Sequence, residues 1–425
     1  MLDCNQYFGN IDFNGGSLSS DGGAILLFQF LKKTGFDKSL RNIPFFDSRR
    51  TPIHSNHDIL EQLFARNLLG YFGQSDQKIL QEDPLLSGFF TTCSQPTVSR
   101  FFKRVGNRTN LVFKEEITKL ACDYVNKHID APIIDADSTL AETYGHQEAS
   151  SFIHHYSAIG YHPMVINEFN SKLLLSGNLR SGNSYSSNGI KEELDMILAY
   201  LVNKKNIRFR GDSAFYDKSL FAYLEDKKIF YYIRCKVFKS LSSKVTEDLA
   251  AKGIDCTSYS AREPYYGDIR YKMGDSVKRR IIYKAFSIMD NGQVSLIPVI
   301  SAIVTNDEKI GAKEAMDFYE SRGASENFTK ELKDDFNGAK LSHKEFFQNE
   351  TEFLISCAAY NIFHLFQLEI LEGDDKKIRM NTFRLSYQKI AVKVIRHARM
   401  ISLSFSTSYT NSSRFLHYWN KVLQI

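Results

Sequence analysis

Cysteine is sparse in this sequence and never paired. The six cysteines, Cys4, Cys93, Cys122, Cys235, Cys256 and Cys357, include no C-x-x-C spacing, which leaves neither a zinc ribbon nor a thioredoxin-type site. Scattered thiols of this kind read as buried and reduced, as in a cytosolic protein. Long apolar runs are also missing. Ala24–Leu31 and Ser295–Val304, among the longest candidates, fall well short of the ~18 residues needed to span a membrane. The N-terminal Met-Leu-Asp-Cys-Asn has no basic start followed by an apolar stretch, so no signal peptide is expected. Internal repeats and low-complexity segments are absent, and Trp419 is the single tryptophan. His154, His155 and His162 lack zinc-ligand spacing and a fourth partner, and read as ordinary surface or core histidines.

The composition is that of a globular chain: 425 residues, 43% apolar, 13% aromatic and 24% charged, with a formal charge of +5. At roughly 100–200 residues per domain, two to four domains are expected. The charge is unevenly placed. Between Lys376 and Ile425 there are ten basic residues and no Asp or Glu, interleaved with Tyr387, Tyr409, Phe415, Tyr418 and Trp419. Such a stretch suits a polyanion-facing surface, or else a solvated basic face on the last helix.

Elements can be placed along the chain from periodicity and punctuation. The first hundred residues read as helical after an extended start. Ser20-Asp21-Gly22-Gly23 opens a helix over Ala24–Lys33, and a second starts at Asn56 or His57. A short piece at Gln77–Gln81 and the basic segment Ser94–Arg104 suggest a helix-turn-helix. A helix over Asn110–His128 leads to strands at Pro132–Asp137, Ile159–Phe169 and Lys172–Ser176. Then come a helix over Ile190–Asn203, a strand over Ile207–Asp212, a helix over Asp217–Lys227 and a strand over Ile229–Cys235. Residues 237 to 300 turn polar and β-rich, and a strand at Ile297–Val304 feeds a long helix starting near Gly311. Strands alternating with helices, and acids at the strand ends, predict an α/β core.

Three acids stand out. Asp137 ends the first core strand, and Asp135, two residues earlier, shares its face. Asp212 ends the strand that begins at Ile207. Carboxylates at the ends of neighbouring strands suit a hard divalent cation, although a strand-end Asp is often only a turn or cap residue. Tyr319, Arg322, Glu326, Lys330 and Lys333, spaced 3, 4, 4 and 3 apart, form one helical stripe with Glu326 among cations. Three carboxylates can hold two Mg²⁺ ions about one phosphate, which suits phosphodiester cleavage or transfer on DNA. The basic side chains of the stripe would grip neighbouring phosphates.

In three segments the sequence resembles the DDE transposases of bacterial insertion sequences. Ile133-Ile134-Asp135-Ala136-Asp137-Ser138-Thr139 looks like the first-aspartate strand, and Arg210-Gly211-Asp212-Ser213-Ala214-Phe215 like the second. Tyr319-x2-Arg322-x3-Glu326-x6-Lys333 matches the family's Tyr-Arg-Glu-Lys helix signature at every position. The resemblance implies an α/β ribonuclease-H-like mixed-sheet core interrupted by a β-rich insertion at about 237–295, which fits the 113 residues between Asp212 and Glu326. It implies a helical DNA-binding region over 1–108, a connecting helix over 109–130, a catalytic domain over 131–365 and a basic region over 366–425 for DNA contact or dimerisation.

Asp137, Asp212 and Glu326 would be the catalytic, metal-binding triad, working with Mg²⁺ or with Mn²⁺ in its place. Tyr319, Arg322, Lys330 and Lys333 would contact the transposon end. Asp137 is preferred over Asp135 because Ser138-Thr139 follows it. The partners implied are the terminal inverted repeats and target DNA, handled by a homodimer in the bacterial cytoplasm and on the nucleoid, with no membrane. Some relatives stack a flipped base on a tryptophan of the insertion; here Tyr265 or Tyr266 would have to serve. A metal-dependent nuclease on the same core and a non-catalytic DNA-binding regulator are the competing readings.

Overall fold

A computed structural model describes residues 11–255, 263–272, 277–290, 293–294, 298–398 and 400–425. Cys4, Cys256 and Arg399 lie outside them. The chain divides into two compact units: residues 110–364, and a second built from residues 1–109 with 365–425.

The first unit is organised by an eight-stranded mixed sheet. Its strands are β1 (Ile133–Ser138), β2 (Met164–Glu168), β3 (Leu174–Asn178), β4 (Arg208–Gly211), β5 (Phe230–Arg234), β6 (Tyr265–Lys272), β7 (Lys278–Phe286) and β8 (Val299–Thr305). They lie in the order β6-β7-β8-β5-β4-β1-β2-β3. β1, β4 and β5 run parallel to one another and every other neighbour is antiparallel. The helices are α1 (Asn107–His128), α2 (Ile190–Tyr200), α3 (Lys218–Asp226), α4 (Lys239–Ala251), α5 (Ala312–Glu320), α6 (Ser325–Asp335) and α7 (Phe346–Glu369).

Side chains fix the edge formed by β3. Asn361 of α7 donates to the Leu174 carbonyl at 2.7 Å and accepts from its N–H at 2.8 Å, so both backbone groups of Leu174 are satisfied without another strand. On α1, Phe113, Ile117, Ala121 and Val125 recur at helical spacing and are all buried. Below them Glu193 of α2, 4% exposed, takes Lys114 at 2.6 Å, Asn178 at 2.8 Å and the Ser176 hydroxyl, a buried charge matched on three sides.

The structure departs from the sequence reading in two places here. The expected strand Ile159–Phe169 is two strands: Ala158–Tyr161 belongs to a small separate sheet, and β2 begins only after Pro163, which has no N–H to give a ladder. Residues 239–251, expected to be β-rich, form α4, with Leu241, Val245 and Leu249 buried at a spacing of four. Of the strands that follow, Met289–Asp290 and Gln293–Val294 pair in a small sheet of their own. β6 and β7 form a hairpin that extends the large sheet through β8.

The second unit packs helices Ile25–Thr34, Asn56–Leu69, Gln77–Glu82, Leu86–Phe89, Gln95–Phe101 and Ser412–Gln424 with a hairpin of Val392–His397 and Met400–Phe405. Ala24, Phe28, Ala65, Leu69, Leu80, Leu86 and Phe90 form a core cluster. Gly22–Ala24 is a 3-10 turn preceding the first helix. A Cβ on Gly23 would fall 1.6 Å from the Tyr387 carbonyl oxygen, so only glycine fits there. Part of the basic C-terminal stretch is consumed internally. Arg384 donates to the carbonyls of Leu68 and Asn67 at the end of their helix, at 3.0 and 2.8 Å. Lys389 pairs with buried Asp21 at 2.6 Å, Arg414 with Asp375 at 3.2 Å and Lys421 with Glu372 at 2.7 Å. Lys376, Lys377, Lys393 and Arg396 stay exposed, as do Arg100 and Lys103 at the end of the Gln95–Arg104 segment.

Candidate active site

Asp135 and Asp137 share one face of β1 but sit in opposite environments. Asp135 is 1% exposed. Arg210, its register partner on β4, donates Nε to Oδ1 at 2.7 Å and Nη2 to Oδ2 at 2.8 Å, and the Ser325 hydroxyl also donates to Oδ2. Its oxygens are therefore taken and closed off from solvent.

Asp137 stands two residues further along, with 22% of its side chain exposed. The last parallel rung joins Ala136 to Gly211, so Asp137 and Asp212 follow it side by side at the ends of adjacent strands, which are about 4.8 Å apart. Asp212 caps the 3-10 turn Ser213–Phe215, accepting from the Ala214 N–H at 2.9 Å. The turn is tight because Gly211 has no side chain: a Cβ there would meet the Phe215 ring carbons at 3.1 Å.

Arg322 reaches this pair from the helical layer. It is 7% exposed and donates Nη2 to the Ala136 carbonyl at 3.0 Å and to Asp137 Oδ1 at 3.2 Å. Its buried Nε has no hydrogen-bond partner among the described residues. Burial pushes the Asp137 carboxyl up; Arg322 opposes the rise, the charge of Asp212 adds to it, and the net shift is upward. Burial pulls Arg322 down, but Asp137, Tyr319, Asp212 and Asp135 together carry it above its ordinary value. Buried Tyr319 is pushed up, chiefly by burial.

The stripe from Tyr319 to Lys333 is not one continuous α-helix as expected. Tyr319 lies in the last turn of α5, Arg322 in a 3-10 segment over Ser321–Ala324, and Glu326 in the first turn of α6. The physical reason is at Phe318, whose carbonyl is engaged by the Ser321 hydroxyl at 2.7 Å and by Arg210 Nη1 at 2.6 Å. The break splits the stripe. Tyr319 and Arg322 are buried, Glu326 and Lys330 are exposed, and Lys333 is half-buried with Nζ 3.2 Å from the Thr139 hydroxyl.

The structure thus brings Asp137, Asp212 and Arg322 together, sets Tyr319 in their field, and places Lys333 beside Thr139, just past the end of β1. Glu326 and Lys330 are not drawn in, and among the described residues no three His, Cys, Asp or Glu side chains lie close enough to hold a metal ion.

Several side chains around the site escaped the sequence reading. Arg180, 7% exposed and lowered by burial to about 10, donates to the Ser138 hydroxyl at 3.0 Å and the His162 carbonyl at 2.9 Å. It also donates to the carbonyls of Tyr185, Ser186 and Asn188 at 2.8–3.0 Å, folding the Gly/Ser/Asn-rich loop beside β1. Tyr156 donates to the Ser138 carbonyl at 3.1 Å and is raised by burial and then by the charges of Asp137 and Asp212. His162 is buried with Nδ1 2.9 Å from the Ser184 carbonyl, whereas His154 and His155 are exposed. None of these has a local motif; only an arginine in a polar loop hints at a hub of backbone carbonyls.

A comparison with curated proteins found no match. Among solved structures, the chain is similar to a piggyBac transposase synaptic complex with hairpin DNA, at 12% identity and a TM-score of 0.45, over 87% of this chain and 80% of that one. The family model for the transposase DDE domain, group 1, matches residues 9–425, so the chain belongs to that family and is a DNA transposase, an enzyme that cuts and joins DNA.

Proposed function

We propose that the chain is the transposase of a bacterial insertion sequence. It binds the terminal inverted repeats of its own element, hydrolyses a phosphodiester bond at each end, and joins the freed 3′-hydroxyls to target DNA. The observation that carries this reading is the placement of Asp137 and Asp212, level with each other at the ends of adjacent parallel strands, with the Arg322 guanidinium on Asp137. The strand order β3-β2-β1-β4-β5, with β1, β4 and β5 parallel and β2 reversed, supports a ribonuclease-H-like core. On this reading α4 and the β6–β7 hairpin are the insertion, joined to the core sheet through β8.

The donor set fits a hard divalent cation. The charge of Asp212 makes ionising Asp137 more costly, an excess of negative charge that a cation would relieve, and Asp137 is partly open to solvent. Asp137 and Asp212 would hold Mg²⁺, or Mn²⁺ in its place, with Glu326 as the third ligand. The bound ions would lower the pKa of the attacking water or 3′-hydroxyl and offset charge on the leaving oxygen.

The chain's own residues do the rest. Arg322, whose Nε has no partner among the described residues, takes a phosphate oxygen, and Tyr319 beside it hydrogen-bonds the same backbone. Lys330 and Lys333 hold the flanking phosphates. Sealed Asp135 takes no part in ligation. Exposed Lys393, Arg396, Arg100 and Lys103 supply further phosphate contacts, and two copies hold the two ends in the bacterial cytoplasm, on the nucleoid.

Joining separates this reading from a nuclease. Pre-cleaved ends incubated with supercoiled plasmid and Mn²⁺ are expected to give joined products with the wild type and none with Asp137→Ala. Cleavage of intact ends without any joining would instead favour a nuclease.

A further inference from the structure

We propose that Arg210 is a positioning residue for the transposase reaction: it fixes the break between α5 and α6, and through that break the place of Arg322 on the strand-end carboxylates and the start of α6, which carries Glu326. The inference rests on the catalytic reading above and deepens it.

Arg210 is fully buried, and its guanidinium is sandwiched between the rings of Phe169 and Phe318, 4.3 and 4.8 Å from their centroids. Its donors are spent in two directions. Nε and Nη2 form the fork on Asp135, while Nη1 donates at 2.6 Å to both the Phe318 carbonyl and the Ser321 hydroxyl. From the other side of the break, Ser325 donates its hydroxyl to Asp135. One buried ion pair therefore holds the last turn of α5 and the first residue of α6 at once.

The sequence positions of the clasp give it its consequence. Asp137 and Asp212 each lie two residues beyond a member of the ion pair, on β1 and β4. Arg322 and Glu326 each lie one residue beyond a clamped serine. Asp137, Asp212 and Arg322 are thus held in relative position, and the start of α6 ahead of Glu326 is anchored, by a cluster that touches neither DNA nor metal. A phosphate-gripping arginine and a metal-ligating carboxylate need sub-ångström placement, and a misplacement of about 1 Å costs on the order of 100-fold in rate. A fork donating to four acceptors in one plane needs a guanidinium; a lysine could satisfy only part of the set.

The test compares Arg210→Lys, and the double variant Asp135→Leu/Arg210→Met, with the wild type. Thermal midpoints are measured first. Single-turnover cleavage of a labelled duplex carrying the element's own end, and end binding, are then followed well below all midpoints. The apolar pair relieves a buried charge cluster and is expected to fold. Both variants are expected to bind the end within about threefold of the wild type yet cleave it about 100-fold more slowly.

A folded double variant that cleaves within about threefold of the wild type would overturn the proposal, because the pair would then serve stability alone. If the double variant does not fold, Ser325→Ala decides: slower cleavage at an unchanged midpoint supports the clasp, and an unchanged rate overturns it. Asp137→Ala run alongside separates the two levels. Wild-type cleavage lost in that variant upholds the site whatever Arg210 does, and cleavage that survives it rejects the site and the clasp together.

Discussion

Replacing Arg322 with methionine isolates the electrostatics of the candidate site. The substitution keeps a long apolar stem but removes the cation that lies 3.2 Å from Asp137 Oδ1 and the donor to the Ala136 carbonyl. Taking one partner from a fully buried ion pair costs about 3–5 kcal/mol, because the other charge is left without compensation. Asp137 is still 22% exposed, so water recovers part of this and about 2–3 kcal/mol remains. At about 2–4 °C per kcal/mol for a domain of this size, the midpoint in EDTA falls by about 4–12 °C. Two additions should reverse the loss. A divalent cation at about a hundred times its dissociation constant returns about 2.7 kcal/mol if it binds the native acids only. The Asp137→Asn/Arg322→Met variant removes the orphaned charge and its repulsion with Asp212, and should regain about half of the loss without metal. Differential scanning calorimetry of the three proteins, with and without Mn²⁺, measures all of this. A midpoint for Arg322→Met within about 1 °C of the wild type in EDTA, or a double variant no more stable than the single one, would show that Arg322 does not offset the Asp137 charge.

Three further outcomes follow from other parts of the structure. Burial holds His162 below the ordinary histidine value of 6.5, so the unfolded chain takes up a proton that the folded chain refuses. Stability should therefore fall as pH drops below 6.5, by up to about 1.4 kcal/mol per unit until the folded pKa is reached, and His162→Gln should flatten that slope in urea titrations; parallel slopes would exclude this origin. Gly23→Ala should destabilise its unit by more than about 3 kcal/mol, since the new Cβ would fall 1.6 Å from a backbone oxygen, and a melt unchanged from the wild type would contradict that. Lys333→Ala should lower the slope of log affinity against log salt for an element end by about 0.9, as one lost phosphate contact requires, and an unchanged slope would place Lys333 away from the DNA.

What was legible in the sequence was mostly local. Ile133 and Ile134 ahead of Asp135 and Asp137 placed β1, Ile207 and Phe209 ahead of Asp212 placed β4, and helical periodicity placed α1, α2 and α3 to within a few residues. What was not legible depended on distant partners. Asp135 and Asp137 are indistinguishable by spacing; they differ because Arg210, 75 residues on, lies opposite one and not the other. The break at Ser321–Ala324 is invisible in a stripe that keeps helical spacing across it, since it is made by a side chain on another strand. The basic tail looked unopposed because its counter-charges, Asp21, Glu372 and Asp375, precede it in the chain. α4 was missed because its three apolar residues are set among Ser, Lys and Thr, a composition that reads as loop or edge strand.

On the proposed mechanism, Asp137, Asp212 and Glu326 act together on a phosphodiester bond. This is tested most directly by cleavage of a labelled duplex bearing the element's terminal repeat, in Mg²⁺ and then in EDTA, with the wild type beside Glu326→Gln, which keeps the side chain's shape and removes its charge. The wild type is expected to nick at the repeat boundary in a metal-dependent way and the variant not at all, with end binding retained in both. Nicking that survives Glu326→Gln would mean that another residue completes the site, and that Glu326 stands outside the triad just as it stands apart from Asp137 and Asp212 in this structure.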